Sequence, residues 1–424
     1  MKNLKISIIG LGYVGLPLAI AFSKMFDVIG FDINPDRINN LKLGKDVFND
    51  QNINDLKKVK KLQLTSSQKD ILGADYYIVT VPTPVDKNNK PDLKSLINAS
   101  KIVGKSIKKG ATVVFESTVY PGCSEEICIP VLEKFSGYKL NKGFYCGYSP
   151  ERINVGDKKH TLEKIVKVVS GSNKNATNRI YNLYKNIIKT KIFKASSIKV
   201  AEAAKVIENT QRDLNIALLN ELSIIFDKLD INTNDVIEAA STKWNFVKYK
   251  PGLVGGHCVG VDPFYLTYKA KKAGYTPKVI LAGRDINEKM SQFIVNKTIR
   301  LMKEKKIDLK KSRLLILGFS FKENCSDPRN SKVEDIVKLF LSKNISIKIY
   351  DPIVYKSFLD KKYQNLFVNK ISNYDNYFDA IILAVPHKIF LQNYKQTFKK
   401  ILKRKNVIFD VKSVLKKDYS TTTL

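Results

Sequence analysis

From residue 5 an uninterrupted apolar run, KISIIG, passes straight into GLGYVGLPLAIAF, a segment of helical character that carries glycines at 10, 12 and 15. A buried parallel strand followed at once by a helix leaves a turn that only a few folds use. Gly10 allows the tight turn, Gly12 lets a pyrophosphate approach the backbone, and Gly15 lets helix and strand pack closely. The next apolar run, DVIGFD, ends in Asp32, which would hold both ribose hydroxyls of an adenosine and repel a 2'-phosphate. The expectation is a dinucleotide site for NAD, with Tyr13 and Val14 completing the glycine loop and Arg37 and Thr83 nearby. The same opening residues have the outline of a signal peptide, with Lys2 and Lys5, an apolar run and Ala19-Ile20-Ala21. The glycine punctuation favours a strand, turn and helix of a soluble, cytoplasmic protein.

Further strands are expected in YYIVTVPTP, ATVVFESTV and GFYCGYSPE. The polar residues just past their ends, Thr83, Ser117, Thr118 and Glu151, lie where doubly wound sheets bind ligands. Near residue 310 the pattern begins again: RLLILGFSFK, then helical SKVEDIVKLFLSK, ISIKIYDP ending in Asp351, and DAIILAVPH. This second copy has GFSFKEN in place of the glycine triplet, so a second dinucleotide held in the same way is not expected. Lys322 and Arg329 offer positive charge for a phosphate ligand there. Between the copies, residues 197–229 contain neither Pro nor Gly and are rich in Ala, Leu, Glu and Lys, which reads as one long helix. The predicted fold is α/β, with two Rossmann-like doubly wound domains at 1–196 and 306–424. They are joined by a helical region at 197–305 that carries a loop rich in chemistry and a surface for dimerisation.

Composition narrows the function classes. Five cysteines without a CxxC pair argue against a disulfide framework, and three scattered histidines offer no obvious zinc site. The net charge of +33 would suit a polyanionic partner. The lysines are spread through every region, however, and no nucleic-acid motif accompanies them, so composition drift is the better reading. Neither nucleic acid nor membrane is expected as a partner.

Two short stretches concentrate reactive groups. Lys205 and Asn209, four apart on the long helix, share a face and could stabilise an oxyanion together. In KPGLVGGHCVGVDP, glycines at 252, 255, 256 and 260 surround Cys258, giving a loop whose backbone can press against a ligand. A cysteine is by default a small buried hydrophobe. Near Lys205, a thiol's pKa would fall from its usual value of about 8.5, giving a nucleophile at neutral pH. Asp262 would then serve as a base for water, and His257 as a packed or positioned neighbour.

GLGYVGLP with Asp32, VPTP, ESTV, SPER, AEAAKVIENTQRDLN, GGHCVGVDPFYL and GFSFKENCSDPRN together resemble the UDP-glucose/GDP-mannose dehydrogenase family over essentially the whole chain. The resemblance implies an NAD domain, a central dimerising region and a nucleotide-sugar domain. It further implies a double oxidation of the sugar's 6-hydroxymethyl group to a carboxylate. Cys258 would trap the aldehyde and carry a thioester, and Lys205 and Asn209 would stabilise the oxyanion. Thr118, Glu151 and Asp262 would order water. Arg329 would serve the cofactor, and Lys322, Gly255 and Arg152 the sugar nucleotide, with no metal. Three departures separate the chain from UDP-glucose members: Val155 where they carry a second acid, His257 before the cysteine and Val261 before Asp262. SPERINVGD and GGHCVGVDPFYLTYKA look instead like the branch acting on UDP-N-acetylglucosamine or UDP-N-acetylgalactosamine in polysaccharide biosynthesis. The alternatives are UDP-glucose, UDP-N-acetylmannosamine or GDP-mannose as substrate, or a two-electron hydroxyacid dehydrogenase.

Overall fold

The computed structural model describes residues 4–46, 50–153 and 160–424, so Val155 and the end of SPERINVGD lie outside the described residues. The chain forms two compact units, Met1–Glu208 with Phe264–Thr276, and Asn209–Pro263 with Pro277–Leu424.

The first unit is built on eight strands: β1 Lys5–Ile9, β2 Asp27–Phe31, β3 Leu62–Thr65, β4 Tyr76–Val79, β5 Ala111–Phe115, β6 Phe144–Tyr148, β7 Lys167–Gly171 and β8 Ile192–Lys194. Their order is β3-β2-β1-β4-β5-β6-β7-β8. All neighbours are parallel except β6 and β7. The order reverses direction beside β1, which creates the crevice where such sheets hold ligands. KISII lies between two strands with Ile6, Ile8 and Ile9 buried. The helix Gly15–Ser23 buries eight of its nine residues, and the opening apolar run is therefore core of this unit.

The second unit carries β9 Arg313–Leu317, β10 Ser346–Tyr350, β11 Phe378–Leu383, β12 Leu402–Asp410 and β13 Thr422–Thr423. They form a parallel sheet of order β10-β9-β11-β12-β13. The two sheets repeat one device at atomic detail. Gly10, at φ +94°, donates its amide to Phe31 O, while Asp32 accepts from Leu11 N at 2.9 Å. Gly318, at φ +84°, donates to Tyr350 O, while Asp351 accepts from Phe319 N at 2.7 Å. In the second copy the acid also accepts from Ser320, Ile353 and Val354 amides and meets the buried His387 at 3.0 Å. Its carboxylate is thus engaged on several sides by the protein itself, in the copy that lacks the glycine triplet.

The predicted long helix spans Ile198–Lys228, and a second runs over Lys278–Glu304. The first ends where Asp230 turns to φ +56° and Ile231 N bonds back to Phe226 O. Among the described residues no helix is long and apolar enough to cross a membrane.

Candidate active site

In the first unit the glycine loop shows why its residues are small. A Cβ on Gly15 would collide with the Gly10 carbonyl oxygen, so Gly15 serves helix-to-strand packing. A Cβ on Gly12 would meet no protein atom within 4 Å, so the protein's own packing does not require glycine there, but a ligand pressed against the backbone would. Tyr13 and Val14 flank it, partly exposed. Asp32 stands at the end of β2, anchored by the amides of Leu11 and Asn34. These residues fit a bound NAD: helix N-terminus for the pyrophosphate, carboxylate for the ribose. Arg37 lies beneath the loop, 9% exposed, its guanidinium engaged by Leu11 O and by Asp46 at 2.8 Å. Its charge is committed to holding the loop.

The loops after β4 and β5 are sewn together. Thr83 Oγ1 donates to Thr118 O at 2.6 Å, and Ser117 Oγ to Val81 O at 2.6 Å. Tyr265 OH donates to Thr83 O at 2.5 Å. After β6, Glu151 is 5% exposed, with Lys205 Nζ 3.7 Å from its carboxylate. Burial pushes the Glu151 carboxyl above its ordinary value, opposed by Lys205 and Lys167. Lys205 is itself buried, as its small neighbours in AEAAK suggest. Arg152 pairs with Glu208 and donates to Val166 O, so its guanidinium braces this loop. A crevice lined by Val14, Leu18, Glu116, Glu151, Arg152 and Lys167 reaches from the glycine loop to these carboxylates.

Sequence reasoning passed over what lies under this loop. Lys167 Nζ is 2.7 Å from Glu116, both buried, and Tyr184 OH also donates to that carboxylate. The available signal was an acid placed directly after the apolar run ATVVF. Glu202 was also passed over: fully buried, it accepts from Gly122 N at 2.5 Å and Ser124 N at 2.9 Å, fixing the segment after Thr118.

In the second unit, Cys258 is the one cysteine of five that is not buried. Its carbonyl accepts from Val261 N and Asp262 N, so it starts the helix Asp262–Lys272. Asp262, 2% exposed, accepts from Asn209 Nδ2 at 2.5 Å. The other side of the cysteine loop docks on Asp327–Asn330. Gly256 N donates to Asn330 O at 3.0 Å, and a Cβ on Gly255 would lie 2.6 Å from that oxygen, so glycine is required by this approach. His257 Nε2 is 3.4 Å from Asp327, with Asn330 Nδ2 at 3.3 Å from its Nδ1. Burial opposes ionisation of Asp327, but the hydrogen bonds from Arg329, with the His257 ring close by, prevail and hold its carboxyl well below the usual range. Arg329 is paired with Asp327 at 2.6 Å and stacks over Phe358. Lys322 lies beside the Phe321 ring.

Within the first unit, then, Glu151 and Lys205 come together; within the second, Asn209 and Asp262 do. A dinucleotide cradle, a second nucleotide-type sheet and these paired polar groups define a dehydrogenase of two Rossmann-like halves. The models of the UDP-glucose/GDP-mannose dehydrogenase family match in chain order: NAD binding domain over residues 4–188, central domain over 199–289, UDP binding domain over 315–417. The chain is 49% identical to a UDP-N-acetyl-D-glucosamine 6-dehydrogenase of Pseudomonas aeruginosa, over all of both chains. It is 48% identical to the enzyme of that name from Salmonella typhi, covering 100% of this chain and 99% of that one. A solved UDP-D-ManNAc dehydrogenase from Pyrococcus horikoshii shares the fold at a TM-score of 0.88 and 29% identity, covering 98% of this chain and 96% of that one. The chain belongs to the UDP-glucose/GDP-mannose dehydrogenase family and is an NAD-dependent nucleotide-sugar dehydrogenase.

Proposed function

We propose that the protein oxidises the C6 hydroxymethyl of a UDP-N-acetylhexosamine, UDP-N-acetylglucosamine before its C4 epimer, to the uronic acid, supplying surface polysaccharide synthesis. The near 50% identity to UDP-N-acetyl-D-glucosamine 6-dehydrogenases over full length supports the substrate. The observation that carries the chemistry is the setting of Cys258: the only cysteine not buried, at the start of the helix whose first residue, Asp262, is bonded to Asn209.

NAD, when bound, accepts the hydride from C6. Water assisted by Asp262 and Lys205 takes the hydroxyl proton as the aldehyde forms. Cys258 attacks that aldehyde, and Lys205 and Asn209 stabilise the thiohemiacetal oxyanion. A second oxidation leaves a thioester on Cys258, and water held by Thr118, Glu151 and Asp262 hydrolyses it. Gly255, Lys322 and Arg152 serve the sugar nucleotide, and Arg329 the cofactor side. Covalent capture retains the reactive aldehyde between the two oxidations. The test is NADH released per UDP-sugar across UDP-N-acetylglucosamine, UDP-N-acetylgalactosamine, UDP-N-acetylmannosamine, UDP-glucose and GDP-mannose. Two NADH per sugar, fastest with UDP-N-acetylglucosamine, is expected; one NADH with an aldehyde or ketone product would overturn the reading.

The active form is a homodimer joined along the long helix. Val200, Ile207, Leu218 and Ile225 are 43 to 54% exposed. Their spacings of seven, eleven and seven residues keep them within one stripe of a helix turning about 100° per residue. Leu218→Asp is expected to convert the dimer to monomer in light scattering; an unchanged mass argues against this surface. Five thiols without a disulfide suit a reducing compartment, the cytoplasm.

A further inference from the structure

The cysteine loop begins at Gly252, which is buried and belongs to no strand or helix, so its peptide groups need partners from elsewhere. One side chain supplies both. Asn220 Oδ1 accepts from Gly252 N at 2.8 Å, and Asn220 Nδ2 donates to Gly252 O at 3.0 Å. This works in one amide orientation only; reversed, the amide would present donor to donor and acceptor to acceptor.

What selects that orientation lies two residues deeper. Asn220 Nδ2 also donates to Asn287 Oδ1 at 2.7 Å, and Asn287 Nδ2 donates to Asp213 Oδ1 at 2.7 Å and Asp213 O at 3.0 Å. Arg284 Nη1 meets Asp213 at 2.6 Å and keeps a cation beside that carboxylate. Asp213, Asn287 and Asn220 are each 0% exposed, so no water competes for these bonds. An ionised carboxylate is acceptor-only. It turns the Asn287 amide nitrogen inward, which turns the Asn287 oxygen toward Asn220, which fixes the Asn220 amide as Gly252 requires. The polarity of one buried carboxylate is thereby transmitted to the loop that carries Cys258.

We propose that Asn220 is a positioning residue for Cys258, its amide oriented by Asp213 through Asn287. The proposal rests on the reading of Cys258 as nucleophile, but its effect on the thiol is measurable without that reading. With the other four cysteines buried, iodoacetamide reports on Cys258 selectively.

The test uses the full-length protein with Asp213→Leu, Asn220→Asp and Asp213→Asn. Asp213 Oδ1 accepts from both Arg284 and Asn287, while Oδ2 has no hydrogen-bond partner among the described residues. Asp213→Leu therefore keeps the approximate shape and removes the acceptor, whereas Asp213→Asn can keep the acceptor oxygen with its amide nitrogen at the unused position. Asp213→Leu and Asn220→Asp are expected to lower kcat at least tenfold and change the Cys258 alkylation rate at least fivefold, with KM for the UDP-sugar and Kd for NAD within threefold. Asp213→Asn is expected to keep kcat within threefold of wild type. A purely structural network would lower the melting temperature and leave kcat and alkylation of the folded protein unchanged, and that result overturns the proposal. Should one of the two disruptive variants not fold, the other decides against Asp213→Asn; an Asp213→Asn variant as impaired as the disruptive one refutes the relay. Cys258→Ala separates the two claims. Acid formation surviving it removes the nucleophile reading, while altered alkylation in the Asp213→Leu variant still stands for positioning.

Discussion

Asn209 donates its side-chain amide to the Asp262 carboxylate at 2.5 Å, and both residues are almost completely buried. The bond uses one of the two Nδ2 hydrogens, and the other is the donor that the proposed mechanism assigns to the oxyanion. Asn209→Ala is expected to lower kcat about 10²-fold through loss of the oxyanion donor. It should also cost about 1–3 kcal/mol of stability, because the Asp262 carboxylate loses a buried partner. Steady-state kinetics and urea unfolding of the one variant check both numbers, and an undiminished kcat would remove Asn209 from the oxyanion site.

Much of this architecture is written locally. The runs KISII, ATVVF and RLLIL are apolar on both faces and can only be interior strands of a covered sheet. Residues 197–229, free of Gly and Pro, can hardly be other than a helix. The partners inside the sites were far less legible. Arg152 and Glu208 are 56 residues apart, Lys167 and Glu116 are 51 apart, and Asn220 finds Gly252 at 32. Periodicity tells which face of an element is apolar, but a buried ion and a solvated one look alike in a string of letters. Arg37 illustrates the limit: its place near Asp32 reads as a cofactor contact, and nothing in the string of letters shows that its guanidinium also holds Leu11 O and Asp46. β8, only three residues long, and the antiparallel joint of β6 with β7 carry no periodic signal at all.

Cys258→Ala is expected to abolish acid formation, by about 10³-fold or more, because the proposed thiohemiacetal and thioester both form on its sulfur. Binding of NAD should persist, since the glycine loop and Asp32 are untouched. The measurement is NADH release together with mass spectrometry of the sugar product. Cys258→Ser should be nearly as inactive, as a hydroxyl is a far weaker nucleophile than a thiolate.

The Glu151 carboxyl is raised by burial and held back by Lys205 and Lys167. Replacing Lys205 by Met removes one of the two cations that favour its charged form. The Glu151 carboxyl must then rise further, and the acid limb of the kcat/KM profile should move to higher pH. The residual rate should be about 10²- to 10³-fold lower if, as proposed, Lys205 is also the cation of the oxyanion. An acid limb that stays in place, measured on that residual activity, would show that Glu151 does not set it.

Glu202 makes the pH dependence of stability testable apart from catalysis. Burial pushes its carboxyl from 4.5 up to about 7, despite the hydrogen bonds from Ser124 and the Gly122 amide. The folded state therefore keeps this proton over a range in which the unfolded chain has already released it. Stability contributed by the protonated form is present below about pH 4.5 and is lost as pH rises through about 7. A shift of this size corresponds to about 3 kcal/mol. Glu202→Gln cannot ionise, and it replaces one acceptor oxygen with a donor facing a backbone amide. The variant should be less stable than wild type at pH 5, by about 1 kcal/mol for the lost hydrogen bond. The difference should shrink and then reverse toward pH 8, as wild type bears the cost of a buried charge that the variant lacks. Thermal or urea unfolding of the two proteins at matched ionic strength gives the comparison. Parallel curves from pH 5 to 8 would mean that the two amides stabilise the Glu202 carboxylate enough to cancel its burial.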